Sequence, residues 1–449
     1  MRKILDKYLW RSYRKISTVS YWVIRRFTPT GKVVLALMFF SGLLGIDIQQ
    51  VQSYQLFIIS FVLIAIAFIS VLTKKCILKA DRNLPRYACV NEDMQYQITL
   101  YNVGKKNIGK IFILDEAADP RPTLQSFINT QEPRNVTRSR FDRFFRFPRW
   151  RWLLEKNTIV KPIITEVETI KSKSQVIITA SLKPLRRGVV ALKTIIVLLP
   201  DNFGIYCAIK KIPCYQSLTV LPKRYSVPSL SLSAKRQHNQ GGVNNASSVG
   251  DAQEFTSLRE YQAGDSIRNI HWNSWAKTAQ PVVKQYQEEY FSRYGLILDT
   301  FGNDDKLEQF EEAVSIAASY VYSLNELDTF IDLMFVSDKA YQISSGRGMV
   351  QRDNMLEVLA AVTARKNKDF NNLLSLITKN LNILSSAIIV LIDWDKNREA
   401  LLKLLQLNNT PYHAFLIRSN NNAQAKVSYH EYNITELYVD NIETGLSVL

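Results

Sequence analysis

Patterns that announce a metal or nucleotide site are missing from this sequence. Its four cysteines, Cys76, Cys89, Cys207 and Cys214, form no CxxC pair, and its four histidines, His238, His271, His413 and His430, lie far apart. Zinc ligands usually come in closely spaced pairs, so a zinc site is disfavoured. Neither GxxxxGK[ST] nor GxGxxG occurs, which leaves no nucleotide fingerprint and no expected cofactor. No nucleophile stands at a recognisable spacing from a base and an orienting group, so the chain reads as non-enzymatic. Acid is scarce as well: 40 Asp and Glu face 57 Lys and Arg, a net charge of +17. That excess admits nucleic acid, acidic proteins or an anionic membrane surface as partner. Hydrophobic residues at 47% and charged residues at 22% argue against wholesale disorder. At 449 residues, a prior of about one domain per 150 residues suggests two soluble domains besides any anchor.

What is present begins with two apolar runs. Residues 56–72 (LFIISFVLIAIAFISVL) hold 17 uncharged residues, about 26 Å as helix, close to the hydrocarbon thickness of about 30 Å. Residues 33–46 are shorter, but Lys32 can snorkel and residues 30–48 approach the needed length. Two membrane spans are therefore expected within 30–75. Two buried core helices are the alternative; a cleaved signal peptide fits less well, because no small-x-small pattern follows Ile46. Residues 1–29 form a basic N-terminus, and cations crowd it and the stretch after the second run while residues 47–53 carry none. The positive-inside rule then places both termini and all soluble parts in the cytoplasm, on a multi-pass protein of the cytoplasmic membrane. Reduced cysteines suit that compartment.

In residues 76–227, Met94, Tyr96, Ile98 and Leu100 alternate with polar neighbours, and apolar runs recur at 111–114, 176–182, 189–199 and 217–221 between turn residues. Short strands at that spacing predict a β-sandwich-like domain. An insert at 134–152 interrupts it with seven arginines interleaved with Phe and Trp. Such interleaving suits lipid headgroups or single-stranded nucleic acid. The neighbouring anchor favours lipid, nominating Arg140, Arg143, Arg146, Arg149, Trp150 and Trp152 as membrane-surface residues and disfavouring nucleic acid. An exposed loop whose rings pack locally is the alternative. Residues 228–253 read as a flexible linker.

From Tyr294 strands and helices alternate: strands at 295–298, 330–335, 387–392 and 412–417, helices at 306–324, 355–363, 371–384 and 396–407. This predicts a doubly wound α/β domain within 254–449, with Asp299 and Asp393 just past strand ends where ligands normally sit. Ahead of it runs LREYQAGDSIRNIHW. Gly264 permits a turn, Asp265 can cap a helix carrying Ile267 and Ile270 on one face, and Arg259, Arg268 and Trp272 can hold the turn against a carboxylate and the core. The other reading is a partner-recognition surface rich in Arg and Trp.

LREYQAGDSIRNIHWNSWAK, followed by Val283, Lys284 and Gln285, closely resembles the signature of the domain of unknown function fifty-eight family. RRG at 186–188, DNFGIY at 201–206, TVLP at 219–222 and FTPTG at 27–31 are similar to further parts of that family, so the likeness covers most of the chain outside the insert. The resemblance implies a membrane protein with a C-terminal domain similar to von Willebrand factor type A. It also implies a partner among MoxR-type AAA+ ATPases and a role as scaffold or adaptor in maturation or assembly of other proteins. Arg259, Glu260, Tyr261, Gly264, Asp265, Arg268, His271, Trp272 and Lys284 are its signature or partner-binding positions. Type A domains hold a divalent ion with an Asp-x-Ser-x-Ser loop. Here Asp299 matches, but Phe301 and Asn303 replace the hydroxyls, and Asp393 can stand in the distant acidic position. Phe301 offers no oxygen to a hard cation, so no metal is expected, with Asp299, Asn303 and Asp393 the candidates if one binds. A divalent-metal-dependent adhesion module and an uncharacterised hydrolase remain the alternatives to a scaffold.

Overall fold

The computed structural model describes residues 2–44, 51–72, 74, 76–130, 132, 139–228, 253–288, 293–302, 304–325, 330–345, 349–364, 370–419 and 431–447. The chain is a mixed α/β protein of several parts. It opens on three helices, α1 (Arg2–Arg26), α2 (Pro29–Leu44) and α3 (Val51–Leu72). Within α3, residues Gln52–Leu72 are long and apolar enough to cross a membrane; α2 is apolar but shorter, at 16 residues. The basic N-terminus is thus a 25-residue helix, an element its mixed apolar and cationic sequence did not announce.

Among the described residues nine strands follow: β1 (Leu78–Asn83), β2 (Tyr87–Cys89), β3 (Met94–Asn102), β4 (Ile111–Glu116), β5 (Val160–Pro162), β6 (Thr165–Val167), β7 (Gln175–Pro184), β8 (Gly188–Pro200) and β9 (Cys207–Leu221). They form a four-stranded sheet, β1-β3-β7-β5, and a five-stranded sheet, β2-β9-β8-β4-β6. Ile98 and Leu100 of one sheet and Ile111, Leu192, Ile195 and Val220 of the other belong to one buried core. The alternation read in residues 94–100 is the inward face of β3. β9 begins ten residues earlier than its apolar end suggested, because Lys210 and Lys211 break the pattern while still pairing with β8. Inside this core Arg82 of β1 is ion-paired with Asp115 of β4, and Tyr96 donates to the same carboxylate. Between β4 and β5 lie α4 (Leu124–Asn129), α5 (Arg140–Phe145) and α6 (Phe147–Asn157).

Of the expected linker, 229–252 lie outside the described residues, and Gln253 already opens a hairpin, β10 (Gln253–Glu260) paired antiparallel with β11 (Val282–Glu288) and carrying α7 (Trp272–Thr278). The last part has strands β12 (Arg293–Leu298), β13 (Phe330–Val336), β14 (Ala340–Ser345), β15 (Ser386–Leu391), β16 (Tyr412–Arg418) and β17 (Ile434–Tyr438). Its helices are α8 (Leu307–Asn325), α9 (Met349–Ala361), α10 (Asn371–Asn380), α11 (Lys396–Leu407) and α12 (Ile442–Ser447). The sheet order is β14-β13-β12-β15-β16-β17, parallel except for β14. α8, α9 and α12 cover one face and α10 and α11 the other, so both faces are dry and the strands are near-continuous apolar runs.

The two-sheet and six-stranded parts are bolted together. Arg187 donates to the Leu359 carbonyl at 3.0 Å and the Val362 carbonyl at 2.5 Å and is ion-paired with Glu311. The Tyr225 hydroxyl donates to Glu312 at 2.5 Å, and Arg86 and Tyr87 both bind Glu357. Cys89 and Leu221 enter the core of the six-stranded part. All four cysteines are free thiols.

Candidate functional site

Three places gather the residues singled out by sequence. The first is the β10–β11 arm. Arg259 grips Asp265 through two bonds of 2.7 and 2.5 Å, and the Gln262 amide donates to the same carboxylate at 2.8 Å. The hydrogen bond from Arg259 holds the Asp265 carboxyl below its ordinary range. Asp265 therefore does not cap a helix. Its oxygens are spent on Arg259 and the Gln262 amide, and residues 267–269 make a single 3-10 turn. Gly264 has a φ of 112°, which favours glycine at this turn. Trp272 is not held against a core either: it stacks on Trp275 at 5.3 Å and stays exposed, as do Ile267, Tyr261 and Arg268. Ile270 and Val283 are the buried pair beneath them. His271 places Nδ1 2.6 Å from the Ser274 hydroxyl, three residues on, in the first turn of α7. Glu260 is exposed beside Val282, and Lys284 lies half-buried opposite Leu258.

The second place is the crevice beyond β12 and β15, where the helices after the two strands leave for opposite faces. Asp299 is fully buried there. Arg398 of α11 donates Nε to one of its oxygens at 2.8 Å and Nη2 to the other at 3.2 Å, while Nη1 reaches Asp395 at 2.6 Å. The Phe301 and Ile392 amides also donate to Asp299. Burial pushes this carboxyl up and Arg398 pulls it down; the guanidinium, despite its own burial, is held above its ordinary value by Asp299. Asp393 is ion-paired with Lys306. The two candidate metal-ligating carboxylates thus each face a side-chain cation, and Phe301 turns toward Phe370. Asn303 lies outside the described residues. Among the described residues no group of three acidic, His or Cys side chains could hold a metal. Sequence reading missed Arg398, which stands three residues past the helix-capping Asp395.

The third place joins the helices to the two-sheet domain. Thr28 and Thr30 both donate to the Gly204 carbonyl, Thr30 at 2.7 Å, and Lys74 at the far end of α3 donates to the Pro200 carbonyl at 2.6 Å. Phe27, Ala67, Val71, Ile205 and Tyr206 form one buried cluster. Gly31 lies so close to Ile205 that a Cβ would overlap its carbonyl oxygen. FTPTG and DNFGIY, far apart in sequence, are two halves of one joint. Asp201 shapes it by accepting from the Phe203, Ile205 and Tyr206 amides.

The insert behaves differently from its sequence reading at two positions. Arg149 and Trp150 are buried, Arg149 bonding the Phe127 carbonyl and Trp150 packing with Leu9, Phe127 and Leu153, so neither is offered to a surface. α1 supplies the cover that the sequence did not reveal. Arg146 is half-buried and ion-paired with Asp6, and the Trp152 ring lies under Lys156. Arg140 and Arg143 remain exposed beside Phe141, Phe144 and Phe147. Residues 134–138 lie outside the described part.

The Uncharacterized protein YeaD of Bacillus subtilis (strain 168) is 28% identical over 96 residues, a match covering 21% of this chain and 23% of that protein. The chain thus spans about a quarter of the length of that curated relative. The crystal structure of the CARDB domain of the PF1109 protein from Pyrococcus furiosus, in complex with di-metal ions, matches 32% of this chain and 93% of its own, at 11% identity and a TM-score of 0.18. The solution structure of the same domain gives 10% identity and 0.18, over 33% of this chain and 97% of its own. Scores that low leave the likeness too weak to bear on fold or function. Residues 257–394, which hold most of the arm and the first four strands of the six-stranded sheet, match the family model described as Protein of unknown function DUF58.

Proposed function

We propose that this protein is a membrane-anchored scaffold or adaptor whose soluble parts face the cytoplasm and which works with a MoxR-type AAA+ ATPase in maturing or assembling other proteins. The arm is the observation that carries this reading. Its strands and helix pack chiefly on one another, the Arg259–Asp265 fork braces its turn, and the residues it presents outward, Tyr261, Ile267, Arg268 and Trp272, are of the kinds that dominate protein interfaces. α2 lies against α3, and the outer ends of both close on the same turn of the two-sheet domain, which supports two spans with both ends on one side of the membrane. The six-stranded part is read as a type A-like domain in which Arg398 takes the place of a cation. Arg140 and Arg143 are read as touching anionic lipid.

The test is photo-crosslinking in native membranes with and without ATP, comparing the parent with Trp272→Ala/Arg268→Glu. The parent should capture an AAA+ ATPase and a further protein, and the variant should lose both while staying in the membrane fraction. The same captured set from the variant would remove the arm as the recognition surface.

A further inference from the structure

Helix α1 is docked on one face through its first half and held again at its carboxyl end. Trp10 donates to the Pro122 carbonyl at 3.0 Å and Tyr13 to the Phe145 carbonyl at 2.7 Å. Leu9 enters the cluster of Phe127, Trp150 and Leu153, Asp6 holds Arg146, and Arg25 reaches Glu116 at 2.9 Å. The other face is open. Ile4, Tyr8, Arg11, Lys15, Val19 and Trp22, spaced four and three residues apart, form an exposed stripe about half a turn away from Leu9 and Tyr13, while Ile16, Ser20 and Ile24, on the Leu9 and Tyr13 side, are exposed as well. Ile4 and Tyr8 are 75% and 70% exposed, which water alone does not favour over a 25-residue helix.

Charge and continuity say what covers this stripe. α1 carries Arg2, Lys3, Lys7, Arg11, Arg14, Lys15, Arg25 and Arg26 against one acid, Asp6, which is already ion-paired with Arg146. At its carboxyl end the helix runs through Phe27, whose amide bonds back to Val23, directly into apolar α2 beside α3. A protein groove for such a stripe would have to desolvate Arg11 and Lys15, whereas at a headgroup layer their stems lie among apolar groups and their charges meet phosphate. Trp22 and Tyr8 are the ring types that favour that boundary. We propose that α1 is an interfacial helix: its outward stripe lies in the headgroup layer of an anionic bilayer while its inner face carries the insert and the two-sheet domain. The proposal rests on the reading of α2 and α3 as membrane-embedded, and it assigns to α1 a role that neither the arm nor the insert supplies. It makes the basic N-terminus a second attachment, one that salt can weaken while the apolar helices stay in place.

The experiment uses the full chain reconstituted in bilayers of phosphatidylglycerol and phosphatidylcholine, or of phosphatidylcholine alone, with a benzoylphenylalanine photo-crosslinker at position 8, 19, 20 or 66. Tyr8 and Val19 lie on the stripe, Ser20 is exposed on another side of α1, and Ile66 is exposed on α3. Lipid adducts should form at position 66 in both bilayers. In the anionic bilayer they should be several-fold more abundant at 8 and 19 than at 20, and they should fall when salt is raised or when Arg11→Glu and Lys15→Glu are introduced. Labelling at 66 with no excess at 8 and 19 overturns the proposal and leaves the anchor standing. No lipid label at 66 removes the anchor and the proposal with it. Adducts at 8 and 19 that map to protein rather than lipid assign the stripe to a protein partner and also overturn it.

Discussion

Removing the guanidinium of Arg398 would strand the Asp299 carboxylate in the interior, since both of its oxygens are held by that side chain at a site with no solvent access. Breaking a buried pair from one side costs about 3–5 kcal/mol, because the remaining charge keeps its desolvation penalty and loses its partner. Arg398→Met should therefore lower stability by that order in urea denaturation, and Asp299→Asn added to it should recover part of the loss. A stability for Arg398→Met within about 1 kcal/mol of the parent would show that the pair is not what holds the crevice closed. The same geometry bears on metal. A cation entering here would have to displace Arg398 from Asp299 and Lys306 from Asp393. Chelation should leave the thermal midpoint unchanged; a fall on adding chelator that Mg²⁺ reverses would overturn this.

At the scale of elements, the clasp between α1 and the two-sheet domain has a pH dependence of definite sign. Burial pushes the Glu116 carboxyl up, but hydrogen bonds from Lys211, Arg25 and Thr194 together outweigh it and hold the group below its ordinary value. A folded-state value below the unfolded one means stabilisation that is complete above the ordinary glutamate value and is lost as pH falls through the folded one. Acidification in that window should loosen α1, read as a lower hydrogen-exchange protection factor in residues 21–26 once the pH dependence of the intrinsic rate is divided out, and Glu116→Gln should be less protected at neutral pH and lose the dependence. Equal protection in parent and variant at both pH values would discount the clasp. Elements with a clean period were legible in advance: β3, α8 and α11 match their apolar alternation because one face or stripe alone meets a core. α1 was not, since its apolar residues lie all round the helix, Leu9 buried and Ile4, Tyr8, Ile16, Val19 and Ile24 exposed on several sides, leaving no single apolar side. β14 and β17 were passed over because edge strands bury too little to be apolar throughout. In the candidate sites, the Arg259–Asp265 fork joins residues close in sequence and was partly foreseen. Arg398 with Asp299 and Gly31 with Ile205 join distant segments, and no local pattern encodes such pairs.

At the scale of the molecule, what happens in residues 228–253 matters less to domain arrangement than the linker reading suggests. Arg187, Tyr225, Arg86 and Tyr87 all cross from the two-sheet domain to the six-stranded one, and Cys89 and Leu221 lie in the latter's core. Cleavage at a protease site placed within 237–247 should leave the two pieces associated through size-exclusion chromatography; separation would show that chain continuity, not the interface, keeps them together. This coupling also bears on topology, because the two-sheet domain grips the outer ends of both apolar helices at one turn, through Gly204 and Pro200. If the pair spans the bilayer, its outer ends and every part bolted to that turn lie on one side. Cations decide which side. Arg25, Arg26 and Lys32 flank one end and Lys74, Lys75 and Lys79 the other, whereas residues 48–53 carry no charge and Asp47 is acidic. The cytoplasmic side retains such Lys and Arg clusters. A reporter fused after Leu449 that is active only in the cytoplasm should therefore be active, and one inserted between residues 47 and 50 should not. If α3 alone spans, the grip at Gly204 must open, so Thr28 and Thr30 would lose their partner and Gly31→Val, which clashes with Ile205 only while that grip is closed, would be silent. A destabilised Gly31→Val together with an active carboxyl-terminal reporter supports the two-span arrangement; a silent Gly31→Val or an inactive reporter removes it.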